Sequence, residues 1–91
     1  MSGEARSAEA NMYYRAKEYS RALAAFSGIE KDFSGTMFAR DALIWQGLIY
    51  TRLEQKESAI QSFEHYLKMY PDSEDVDYVT EKLAALRDSE K

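Results

Sequence analysis

At 91 residues the chain has room for one modest core, and below roughly 100 residues such a core is only marginally self-sufficient. A net charge of -4 and a pI near 5.0 argue against nucleic acid or an anionic membrane surface as partner, since both are bound chiefly through clustered Lys and Arg. With no Cys there is no disulfide, thiolate metal site or cysteine nucleophile, and no apolar run approaches the ~20 residues of a membrane span.

Read in order, the chain predicts five helical segments with short connections. There is a single Pro, Gly is sparse, and no strand-type alternation of apolar and polar residues occurs. Residues 1–2 are expected to be a loose end, with no basic-then-apolar secretion segment opening the sequence. The first helix is expected over about 3–16, with Ala5, Ala8, Met12 and Ala16 on one side and Ala10, Tyr13 and Tyr14 beside it. The second, about 18–33, carries a stripe of Ala22, Phe26, Ile29 and Phe33. Ser34-Gly35-Thr36 breaks it, with Gly suited to a left-handed helix end and Thr36 placed to cap the next helix.

A central helix over about 37–53 is apolar on several sides. Phe38, Ala42, Trp45, Ile49 and Leu53 form one stripe, Leu43, Gly47 and Tyr50 a second, and Ile44, Leu48 and Thr51 a third. A helix of this kind must be covered by several neighbours, so the rest of the chain is expected to pack around it. A polar turn near 54–56 leads to a fourth helix, about 57–69, with a stripe of Ala59, Phe63, Tyr66 and Tyr70 flanked by Ile60 and Leu67. Tyr70-Pro71 stops that helix, because the residue before Pro is pushed out of helical conformation. Ser73 is expected to cap a fifth helix over about 74–87, with Val76, Val79, Leu83 and Leu86 as its apolar positions.

Two halves of the sequence match at a fixed shift of 37 residues, the difference between Tyr13 and Tyr50. At that shift Arg15 falls on Arg52, Ala22 on Ala59, Leu23 on Ile60, Phe26 on Phe63, Ile29 on Tyr66 and Phe33 on Tyr70. Small residues fall on small ones and aromatics largely on aromatics, so an internal helix-turn-helix repeat accounts for them best. The units run over about 3–36 and 37–73, and residues 74–88 form a capping half-unit that turns a polar face outward.

The spacing of Gly47, Tyr50, Ala59, Phe63 and Pro71 resembles the tetratricopeptide repeat. The residue types suit the roles: axes that cross closely need Gly or Ala at the contact, and larger side chains fill the space on either side. The first copy keeps the scheme with Ala10 for Gly47 and Ser34 for Pro71. The unit is longer than the family's usual ~34 residues. In this it resembles the variety common in bacterial cell-envelope proteins, such as the periplasmic Tol-Pal accessory protein and outer-membrane assembly lipoproteins. The resemblance implies an all-α fold, a right-handed superhelix of about two and a half units. It also implies a protein or peptide partner, and a periplasmic setting if the envelope variety holds.

No catalytic or cofactor constellation stands out. His65 is the only histidine, which excludes a two-histidine metal site within one chain, and it reads as a solvated side chain. The acidic run Asp72, Glu74, Asp75 and Asp77 reads as a helix start, where negative charge favours the dipole, and it lacks the Gly of a calcium loop. An enzyme is therefore not expected.

In stacked helix pairs of this family the first helix of each pair lines the concave side. The resemblance thus implies a binding face of Ser7, Asn11, Tyr14 and Arg15 with Asp41, Ile44, Leu48 and Arg52. Asn11 alone matches the carboxylate clamp of some chaperone-binding members, and the clamp lysines have no counterpart. The face suits a segment with an apolar anchor and an acidic neighbour. The rival expectation is structural: Ile44 and Leu48 covered by the fifth helix or by a second copy, in a self-associating unit or a piece of a longer array. Trp45 is expected to be mostly core.

Overall fold

The computed structural model describes residues 2–89, which fold into five helices and no strand. These are α1 (Gly3–Arg15), α2 (Tyr19–Asp32), α3 (Met37–Arg52), α4 (Lys56–Met69) and α5 (Val76–Asp88). Each helix packs on the next in the chain, and α1 also touches α3. The body measures 42 × 30 × 17 Å, and its thinnest dimension fits about two helix diameters. α1, α3 and α5 border one depression together and make one layer, with α2 and α4, joined by Glu30 and His65, behind.

The periodicity explains two clusters joined through α3. Ala10, Ala22, Phe26, Ile29, Ala42 and Ile49 unite α1, α2 and the near side of α3. Leu43, Ile60, Phe63, Tyr66, Val79 and Leu83 unite its far side with α4 and α5. The central helix is thus the shared wall of both cores. Ala22 and Ala59, Phe26 and Phe63, and Ile29 and Tyr66 are buried in corresponding places, as the 37-residue shift requires.

The turns repeat as well. After α1 the Glu18 N–H donates to the Tyr13 carbonyl (2.9 Å) and the Lys17 N–H to Tyr14 (3.0 Å). After α3 the Gln55 N–H donates to Tyr50 (2.9 Å) and the Glu54 N–H to Thr51 (3.1 Å). Both are Schellman helix ends, and each needs a left-handed residue: Lys17 has φ 62° and Glu54 φ 60°. Gly35 supplies the left-handed position after α2, with φ 84°. Thr36 caps α3 by accepting from the Ala39 N–H at 3.4 Å.

Three expectations need correction. Ser2 is not a loose end, because its hydroxyl accepts from the Ala5 N–H (3.2 Å) and caps α1; Met1 lies outside the described residues. Ala5, Ala8, Met12 and Ala16 face solvent, and the buried positions of α1 are Gly3 and Ala10. The stripe lost to the Ala10 side because small residues let α1 lie close to its neighbours. Ser73 does not cap α5 at 74. The helix begins at Val76, and Ser73 instead accepts from the Tyr66 hydroxyl (2.5 Å) and the Asp75 N–H (3.3 Å).

Polar links brace the stack from outside. Arg6 reaches Asp32 at 2.6 Å and lies 5.4 Å from the centre of the Phe33 ring, tying α1 to the end of α2. Arg87 pairs with Glu64 between α5 and α4. On the back layer, Glu30 accepts from Gln46 Nε2 at 3.1 Å and stands 3.5 Å from His65 Nε2, so one carboxylate joins α2, α3 and α4. His65 is about half exposed, as expected, yet it has this neighbour.

Candidate functional site: the groove between α3 and α5

The layer of α1, α3 and α5 carries two adjoining depressions. The larger, about 780 Å³, lies among Tyr14 of α1, Leu48 and Arg52 of α3, and Tyr78, Lys82 and Leu86 of α5. The smaller, about 390 Å³, lies among Asp41, Ile44, Asp75 and Tyr78. Trp45, Leu48 and Tyr78 line both, so the two form one groove along α3.

α3 builds the floor because its third apolar stripe points neither at α2 nor squarely at α4. Ile44 and Leu48 pack against the far core yet keep part of their surface in the groove. α5 runs beside them rather than over them, since its buried residues, Val79 and Leu83, point at α4. Trp45 is half-buried: it stacks on Phe26 (centroids 5.6 Å, planes 9° apart) and meets Tyr14 edge-on at 5.0 Å. Tyr14 in turn meets Tyr19 at 5.7 Å. The ring wall is therefore anchored in the core, which leaves little rotamer freedom to lose when a ligand packs on it.

The charged residues sit at the ends. Arg52 is exposed, and the neighbouring Tyr14 hydroxyl, with a smaller contribution from Tyr19, holds its pKa above the ordinary arginine value. It is a cation at any physiological pH. Lys82 lies 5.5 Å from the centre of the Tyr78 ring, and Tyr78 is 44% exposed. At the other end Asp41 contacts Arg40 at 3.4 Å.

Of the residues expected on the binding face, Tyr14, Asp41, Ile44, Leu48 and Arg52 line the groove. Ser7, Asn11 and Arg15 line neither depression. Asn11 turns back along α1 to donate to the Ser7 carbonyl at 3.1 Å, and Arg15 is exposed at the helix end. Three lining residues of α5 escaped the sequence reading: Tyr78, Lys82 and Ala85. The signal for them was the repeat itself, since a shift of 37 carries Asp41, Trp45 and Leu48 onto those positions. Among the described residues no group of three or more His, Cys, Asp or Glu side chains could hold a metal ion, and no helix is long and apolar enough to cross a membrane.

The decisive comparison falls on α3, α4 and the turn after them. Residues 41–73 match the family model for the tetratricopeptide repeat. The match supports the tetratricopeptide family, and the five-helix stack is the all-α, tetratricopeptide-like fold expected of it. Tetratricopeptide repeats are in general protein-protein interaction modules, which directs attention to a protein partner. A comparison with curated proteins finds no match.

Proposed function

We propose that this tetratricopeptide-like chain is a non-catalytic scaffold that holds a segment of a partner protein in the groove between α3 and α5. The observation that carries the reading is Leu48: half-buried, shared by both depressions, and set between a core-anchored ring wall and Arg52. A concave apolar strip with cationic edges recognises an extended or helical segment through an apolar anchor and an acidic neighbour. The 37-residue unit and the Tyr70-Pro71 joint favour the bacterial cell-envelope variety, and with it a periplasmic setting.

A photo-crosslinking side chain placed at Tyr78, in the groove, and at His65, on the back layer, tests this reading in native cell extract. The partner is expected to crosslink from position 78 and not from 65. Crosslinking from 65 alone would refute the groove as the site. A second reading, self-association, is favoured by the outward stripe of α1, where Met12 is 63% exposed beside Ala5 and Ala8. Sedimentation over a range of concentrations separates the two, since a strict monomer rules out self-assembly.

A further inference from the structure

The groove is electrically polar along its length. α3 contributes Asp41 at one end and Arg52 at the other, and α5 repeats the order with Asp75 at its N-cap and then Lys82. The smaller depression holds Asp41 and Asp75 together, and the larger holds Arg52 and Lys82. Two helices thus place like charges side by side at each pole, with Leu48, Trp45 and Tyr78 between. Glu54 lines the cationic end and Arg40 contacts Asp41, so the poles are moderated without being erased. From Asp41 to Arg52 is eleven residues of helix, roughly 16 Å at 1.5 Å per residue. An extended segment covers that span in about five residues, and a helical one in about eleven.

We propose, building on the reading that the groove binds a protein segment, that it takes the segment in one direction only. Acidic side chains of the segment sit at the Arg52–Lys82 pole and basic side chains at the Asp41–Asp75 pole, with an apolar anchor over Leu48 between them. The reversed segment brings like charges together at both ends, which costs affinity and slows encounter. The partner motif is therefore a charge-ordered peptide, acidic on one side of its anchor and basic on the other.

The test is selection from a displayed library of random peptides long enough to reach both poles in extended or helical form. It is run against the wild-type chain, a Leu48→Glu variant, and a pole-swapped variant carrying Asp41→Lys, Asp75→Lys, Arg52→Glu and Lys82→Glu. Circular dichroism confirms that each variant folds, and if the pole-swapped chain does not, Arg52→Gln with Lys82→Gln replaces it. The wild type is expected to enrich peptides with acidic and basic residues flanking an apolar anchor in one fixed order. The swapped chain inverts that order, and the neutralised one weakens the selected peptides on the order of tenfold. Peptides that lose binding to Leu48→Glu yet show no charge order would overturn the directional proposal and leave the groove intact. Peptides indifferent to Leu48→Glu, or no enrichment at all, would overturn both.

Discussion

Gly47 and Phe63 are in such close contact that a β-carbon on residue 47 would stand 2.4 Å from Phe63 Cε1. The ring is fully buried in the far core, so α3 and α4 approach this closely only because residue 47 has no side chain. Gly47→Ala is therefore expected to destabilise the chain by about 1–3 kcal/mol through overpacking, although Ala is the better helix former. Chemical denaturation of the two proteins checks this. A stabilised alanine variant would mean that the helices do not cross here.

The left-handed positions Lys17 and Glu54 invite the opposite change. Both sit in Schellman turns with φ near 60°, where a β-carbon is crowded against the backbone. Glu54→Gly, and independently Lys17→Gly, should raise stability by roughly 0.5–1 kcal/mol, the relief of strain being partly offset by the looser unfolded chain. Thermal melts read the effect. The turns belong to different helix pairs, and a double variant measures whether the two gains add.

Tyr66 makes stability depend on alkaline pH. Its ring is fully buried, and burial raises the phenol pKa above 10.0 by penalising the phenolate, against a smaller lowering from the hydrogen bond to Ser73. A folded pKa above the unfolded one means that the stabilisation is fully present below pH 10 and is lost as pH rises through the folded value. Tyr66→Phe should lose about 1 kcal/mol at neutral pH, from the missing hydrogen bond to Ser73, and should show a shallower decline above pH 10. Urea melts across the alkaline range follow both.

Much of this was legible in the sequence, because hydrophobic period and punctuation are local signals. The wall-like α3, the break at Gly35, the stop at Pro71 and the buried pairs at the 37-residue shift all follow from residue type and spacing. Less local facts were not visible. Nothing in a polar side chain announces that Gln46, only 7% exposed, would be buried under Glu30, because the partner comes from another helix sixteen residues away. The outward turn of Ala5, Ala8 and Met12 was hidden for a related reason: α1 has two weakly apolar sides, and which one faces inward is decided by the close packing of Gly3 and Ala10. On the groove, the residues of α3 were placed by the repeat. Tyr78 and Lys82 were overlooked because the final half-unit was read as a cap with a polar outer face, whereas its first-helix positions extend the same surface.

The central claim is that a partner segment lies on Leu48 between the ring wall and Arg52, and Trp45 reports on it directly, since it lines both depressions. The most direct measurement is a titration of the crosslinked partner, or of its contacting peptide, into the wild-type chain and the Leu48→Glu, Arg52→Glu double variant, following Trp45 fluorescence. Losing a central apolar anchor and reversing its charged neighbour should weaken binding on the order of a hundredfold while the helical circular dichroism is retained. Equal affinity for the two folded proteins would contradict the groove as the binding site.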